Sequence, residues 1–360
     1  MAAPAAAGAG SAPLVIAVES PQSGEQASNG LDQLRGAELA VREVNARGGV
    51  LGRRVRIHRA DDRGSAAHAL PVARAVIARR IPFVIGPFNS SVGLVNLPLY
   101  RRNRVLPIWN TSHDETRGAG ATVQPMNSQA APFEGRYIAG TGARRVAMLV
   151  DSSPDGAFPA GMADRLAARL RAEGVAVSRV PVVQTAEAGP GHYALAVQTA
   201  LAADPDMVYV STYFPEGVQI ARALTAAGDR PPCLMGFANV DPAFTAATTL
   251  AEAQRCRFSG VPAAEQMPSA RAYVRRYRAA FNRRPGVWGS FYYDSARLLF
   301  SAVERAGTTR YAAVNRELRR TRGLRGATGP ITIDPRTGYR TDVPLHILRV
   351  DATKTFVIAR

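Results

Sequence analysis

Short runs of hydroxyls, amides and aromatics, not nucleophile–base pairs, are what this sequence offers for chemistry. Each run follows a short apolar stretch: Pro21-Gln22-Ser23-Gly24, Asn89-Ser90-Ser91, Trp109-Asn110-Thr111-Ser112, Asp151-Ser152-Ser153 with Phe158 beyond, Ser211-Thr212-Tyr213-Phe214, and Phe237-Ala238-Asn239 with Asp241 beyond. Hydroxyls and amides recognise a solute through hydrogen bonds without changing charge. Ser90 and Ser91 carry two readings. A hydroxyl before a helix caps the free backbone N–H groups. The same helix start also holds a carboxylate, through those N–H groups and the positive end of the dipole. Thr111 either adds a hydroxyl to the same cleft or closes an Asn-Thr-Ser turn. Tyr213 and Phe214, before Pro215, either wall a pocket or pack a helix; for Trp109 core packing is slightly favoured.

Catalytic patterns are missing. The five histidines, His58, His68, His113, His192 and His346, form no HExxH and sit at no metal spacing from Cys233 or Cys256. His113 with Asp114 and Glu115 reads as a solvated loop. Asp61-Asp62 reads as a loop cap before it reads as a cation site. There is no G-x-S-x-G elbow and no GxxxxGK[ST], and Gly140-Thr141-Gly142 lacks the rest of a dinucleotide fingerprint. No cofactor and no metal is expected.

The elements that must position these runs alternate. Apolar stretches of about five residues, such as Leu14–Val18, Val146–Val150 and Met207–Val210, read as buried strands. Helical spacing separates them, as in Leu34, Ala37, Val41 and Val44, which Gly48-Gly49 stops. Strand–helix alternation predicts α/β architecture with parallel sheets covered on both faces. Two such series, Leu14–Ile108 and Val146–Met235, predict two similar lobes. In open α/β sheets ligands bind beyond the carboxyl ends of the strands, where the polar runs fall.

The chain has 360 residues, long enough for two domains, and 46% of them are hydrophobic. The formal charge is +17, but the cations are almost all scattered arginines, Lys354 being the one lysine. No long basic run or interleaved aromatic pattern supports nucleic-acid binding, so none is expected. Two cysteines allow at most one bridge. No stretch is apolar enough to predict a membrane span. Residues 1–13 are expected to be disordered; they lack the pattern of a secretory signal.

Several motifs resemble the branched-chain amino-acid (Leu/Ile/Val) binding proteins, type I periplasmic solute-binding proteins of ABC importers. They are Ser23-Gly24, Gly36-Ala37-Glu38-Leu39-Ala40, the run from Asn45 through Gly48-Gly49 to Arg53, and Asp61-Asp62. Val84-Ile85-Gly86 with Ser90-Ser91, Tyr213-Phe214-Pro215-Glu216, and Gly286-Val287-Trp288 with Tyr292 are similar too. The resemblance implies two Rossmann-like lobes with parallel-type sheets, joined by a three-strand hinge. Lobe boundaries are expected at 14–131 plus 261–339, and at 132–260 plus 340–360. It further implies a monomeric, exported, non-enzymatic protein that closes over a small molecule and hands it to permease subunits. Ser90 and Thr111 would hold a carboxylate, and Tyr213 would reach in from the second lobe. Gln22, Asn89, Ser91, Trp109, Asn110, Phe158, Phe237, Ala238 and Asn239 complete the expected ligand-binding set. The family's acid after the strand that here is Cys233–Met235 is replaced by Gly236-Phe237-Ala238-Asn239. A buried ammonium without a counter-charge is costly. Among small carboxylate-bearing solutes, an organic or aromatic acid without an amine is therefore expected ahead of an amino acid. The competing readings are a sensory module of the same fold and an α/β enzyme.

Overall fold

The computed structural model describes residues 12–359. Of the segment expected to be disordered, 1–11 lie outside the described residues. Ala12 and Pro13 are held by their carbonyls, which accept from the Arg53 guanidinium at 2.8 and 3.1 Å.

The first sheet contains β1 (Leu14–Ser20), β2 (Val55–Asp61), β3 (Phe83–Ile85) and β4 (Leu106–Ile108), all parallel, in the order β2-β1-β3-β4. The second opens with β5 (Arg145–Asp151), β6 (Ala176–Val182), β7 (Met207–Ser211), β8 (Cys233–Met235) and β9 (Arg257–Gly260). Its β6-β5-β7-β8 core repeats the order of the first. A separate antiparallel ribbon, β10 (Leu324–Gly326) with β11 (Gly329–Ile331), follows. Then β12 (His346–Val350) and β13 (Phe356–Ile358) rejoin the second sheet antiparallel, beyond β9. This edge makes the second sheet mixed, where parallel strands alone were expected. The chain thus passes between the sheets three times: after β4, after β9 and after β11.

The helices are α1 (Ala27–Ala46), α2 (Ala66–Ala78), α3 (Ser90–Arg102), α4 (Asn127–Gly140), α5 (Ala157–Ala172), α6 (His192–Ala202), α7 (Phe214–Ala226), α8 (Pro242–Ala247), α9 (Leu250–Gln254), α10 (Arg271–Phe281), α11 (Gly289–Ala306) and α12 (Tyr311–Arg319). The apolar stripe of α1 packs on α11. Gly36 allows that approach: a Cβ there would lie 1.9 Å from the Gly289 carbonyl oxygen. Asp32 fixes the start of α11, accepting the Gly286 and Gly289 N–H groups at 2.9 and 2.6 Å and the Tyr277 hydroxyl at 2.9 Å. α10 and α11 therefore belong with the first sheet. α4 belongs with the second: it packs on α5, and its Glu134 accepts the Ser259 hydroxyl of β9. The expected boundary at 131/132 falls inside α4. Cys233 and Cys256 form a disulfide between the start of β8 and the residue before β9.

Candidate functional site

Both sheets reverse strand order between their first and third strands, and loops leave the carboxyl ends on either side of that switch point. These loops meet around one enclosed cavity. Its walls are Phe88, Ser90, Ser112, Gln124 and Trp288 from the side of the first sheet, and Phe158, Tyr213, Phe237 and Ala238 from the second. It holds about 220 Å³ of empty space, so narrow that about one water-sized sphere fits. A wider open hollow between α6 and α7, lined by His192, Tyr193, Gln219 and Arg222, draws on the second lobe alone and on none of the strand-tip polar runs.

Four helices begin at this cavity. Ser90 is the first residue of α3 and Phe158 the second of α5, while Tyr213 and Trp288 immediately precede α7 and α11. The starts of α3, α5 and α7 have no side-chain cap, whereas the first N–H of α11 is taken by Asp32. Uncapped first-turn N–H groups and positive dipole ends favour an anion. No charged side chain lines the cavity.

Ser90 Oγ accepts the N–H groups of Ser112 and His113, at 3.3 and 3.2 Å, which leaves its hydrogen to donate. Ser112 Oγ accepts Gln124 Nε2 at 3.3 Å and keeps its own hydrogen too. The other surfaces are rings. Phe88 meets Trp288 with centroids 5.5 Å apart, and Phe158 meets Tyr213 at 5.7 Å and Phe237 at 4.8 Å. Phe237 and Trp288, 6.1 Å apart, connect the two walls. Burial pushes the Tyr213 phenol above its ordinary range, and the nearby Asp151 charge adds to this, so the hydroxyl keeps its proton. It lies close to the Asn89 amide without the alignment of a hydrogen bond.

Of the residues expected to contact a ligand, Ser90, Phe158, Tyr213, Phe237 and Ala238 line the cavity. The others do not. Thr111 turns away and bonds Thr116 Oγ1 at 2.6 Å, its methyl group under Gly93 of α3. Trp109 packs with Leu97, Tyr100 and Met126 in a different core cluster, beneath the Arg101 guanidinium. Asn110 meets Ser295 of α11. Ser91 is buried within the first turn of α3. Asn89 gives its amide to Gln26 at 3.0 Å, and Gln22 gives its own to the carbonyls of Val18 and Ala60. Asn239 fastens its turn, bonding the carbonyls of Thr212 and Gly236, against a glycine, Gly217, that leaves room for it.

The lining residues outside the expected set are Phe88, Ser112, Gln124 and Trp288. Ser112 had a readable signal. Beyond β4 the chain runs extended, so Trp109 and Thr111 share one side and Asn110 and Ser112 the other. Gln124 sits where the chain leaves the first sheet, with no pattern to mark it.

Contacts away from the cavity also join the walls. Asp155, ahead of α5, accepts the Ala66 N–H of α2 at 2.7 Å. Thr185 donates to Glu25 at 2.8 Å. Arg165 of α5 pairs with Asp114 at 2.6 Å. The His113–Glu115 loop, expected to be solvated, is thus partly an inter-lobe contact, with Asp114 buried. Asp61 and Asp62 are loop caps, accepting the N–H groups of Gln22, Ser23, Arg63 and Gly64.

A periodic pattern of two matched lobes around one cavity agrees with what sequence comparison finds. The family model described as periplasmic binding protein matches residues 13–355. The chain belongs to the periplasmic binding protein family. It is 28% identical to the Leu/Ile/Val-binding protein BraC3 of Rhizobium johnstonii, over 95% of this chain and 93% of that one. The fold matches the leucine binding protein LivK of Thermotoga maritima with a TM-score of 0.86 at 22% identity, covering 96% of this chain and 98% of that one. It also matches a solute binding protein of an ABC transporter from Rhodopseudomonas palustris BisB5, in complex with 3,4-dihydroxy benzoic acid. There the TM-score is 0.80 at 19% identity, over 96% of each chain. The fold is that of type I periplasmic binding proteins. This periplasmic binding protein is a solute-binding protein and not an enzyme, in a family of exported proteins. Among the described residues no helix is long and apolar enough to cross a membrane.

Proposed function

We propose that this chain captures a flat organic acid lacking an α-ammonium, an aromatic carboxylate, and delivers it to the permease of an ABC importer from the periplasm. One observation carries the reading: three uncapped helix starts and two serine hydroxyls converge on an aromatic-walled cavity that no acidic side chain lines. Ser90, Ser112 and the α3 N–H groups receive the carboxylate, and Phe88, Phe158, Phe237 and Trp288, which must part from their present ring contacts to admit it, cover the ring. The first lobe comprises 14–126 with 261–339, the second 127–260 with 340–359, and the three crossings are the hinge. Closure removes the carboxylate from water, where hydrogen bonds to a charged group count most. The Cys233–Cys256 disulfide supports an oxidising compartment.

The relatives' names favour a second ligand class. The Rhizobium relative is named for leucine, isoleucine and valine. The fold neighbour in complex with dihydroxy benzoic acid carries a different ligand on the same fold, so the fold does not choose. Against an amino acid stands the desolvation of an ammonium facing Phe237 and Ala238.

Tryptophan fluorescence tests the choice, because Trp288 lines the cavity and Trp109 does not. Benzoates should change the emission saturably while leucine and isoleucine leave it unchanged. The opposite pattern would make this an amino-acid binder.

A further inference from the structure

The polar atoms of the cavity wall are unequal in kind. Ser90 and Ser112 have accepted their hydrogen bonds and have hydrogens left to give. Tyr213 Oη and Trp288 Nε1 are buried without partners, and both carry hydrogens. A carboxylate satisfies donors of this kind. Gln124 is the exception. The residue is 3% exposed, it lines the cavity, and its Oε1 is buried without a partner. Its Nε2 is committed to Ser112 Oγ at 3.3 Å. The turn that carries it is fixed as well: its own N–H bonds Thr122 Oγ1 at 3.1 Å, and the Thr122 N–H bonds the Gly338 carbonyl at 2.9 Å.

We propose that Gln124 makes the site selective for organic acids that carry a hydrogen-bond donor close to the carboxylate. This rests on reading the cavity as a carboxylate site. A buried carbonyl oxygen left unpaired is costly, and a ligand hydroxyl or amide N–H removes that cost where an apolar edge does not. The carboxylate itself is repelled by Oε1 and stays on the serines. Gln124 is bonded to Ser112, so the donor lies only an amide's width from the acid group. On a benzoate this favours the 3-position. A 2-hydroxyl is already bonded to its own carboxylate, and a 4-hydroxyl points away from it. Gln124 acts here as a specificity residue on a face that the aromatic walls leave polar.

Calorimetric titration of the wild-type protein and of Gln124→Met with benzoate, 3-fluorobenzoate, 3-hydroxybenzoate and 4-hydroxybenzoate tests this. In the wild type, 3-hydroxybenzoate should bind about tenfold tighter than the other three or better. In Gln124→Met that advantage should shrink to about twofold, whatever the variant's affinity for benzoate itself. Equal binding of benzoate and 3-hydroxybenzoate by the wild type overturns the proposal and leaves the carboxylate reading standing. So does a preference undiminished in the variant. An amide turned the other way would present another donor, and the hydroxyl advantage would vanish in the same titration. If no benzoate binds the wild type, the carboxylate reading falls and this inference with it. The wild-type comparison decides even if the variant's melting temperature shows that it folds poorly.

Discussion

The two walls of the cavity do different work with different residues. The first-lobe wall presents Ser90, Ser112, Gln124 and the start of α3, with rings only at Phe88 and Trp288. The second-lobe wall presents Phe158, Tyr213 and Phe237 around Ala238, its one polar atom a tyrosine hydroxyl. In the proposed function one wall orients a charged head group through directional bonds, and the other excludes water and covers a ring. In the proposed order of events the polar wall binds first and the aromatic wall closes over the solute, adding area without demanding new geometry.

The sharpest way to break this contrast is to charge the aromatic wall. Ala238→Asp puts an unpaired carboxylate against the bound acid and should weaken benzoate binding about a thousandfold, by titration calorimetry. The same variant should acquire measurable affinity for leucine; if it instead binds benzoate normally, Ala238 does not face the ligand. The lobes also differ in covalent support, since the disulfide staples only β8 to the approach to β9. Replacing both cysteines by serine should remove about 3 kcal/mol from the second lobe's unfolding free energy, read by denaturant melts. Benzoate affinity at low temperature should survive that change. On the polar wall, Ser90→Val leaves the Ser112 and His113 N–H groups unpaired and removes the donor. It should cost about thirtyfold in affinity, more than Tyr213→Phe across the cavity.

The smallest effect is on pH. The polar wall has no titrating group, so binding should be flat where stability is not. Burial raises Glu134, on α4, from 4.5 to about 7. The folded protein then holds a proton that the unfolded chain releases from about pH 4.5, so stability is full below that value and declines as pH rises to about 7. Glu134→Gln should flatten the decline by about 1–2 kcal/mol, seen in melting curves between pH 4.5 and 8. A Glu134→Gln variant that keeps the full wild-type slope over this interval would show that Glu134 ionises freely.

The repeated strand–helix rhythm made the two lobes legible, because buried parallel strands need continuous apolar runs and their helices need an apolar stripe. The antiparallel edge of β12 and β13 was not legible as such: pairing partners distant in sequence leave no local signature. At the site, Ser90 was readable because a hydroxyl at a helix start has few uses. Phe158, Tyr213, Phe237 and Ala238 followed from strand-end logic. The family resemblance points to Thr111, but here its hydroxyl bonds Thr116 and its methyl group lies under Gly93 of α3, while Ser112 lines the cavity. Asn89, Asn110 and Asn239 show the general hazard. Buried amides at strand tips are consumed by holding the tips in place, as their bonds to Gln26, Ser295 and the Thr212 carbonyl record.

Asp155 to the Ala66 N–H, Thr185 to Glu25 and Arg165 to Asp114 tie the lobes together without reaching the cavity. In the proposed closure, how long a captured molecule stays depends in part on fastenings it never touches. Affinity can drift in such a protein through changes on its rim while the choice of cargo stays fixed inside. A membrane partner that pried at those rim bonds would empty the cavity without needing to recognise what it holds.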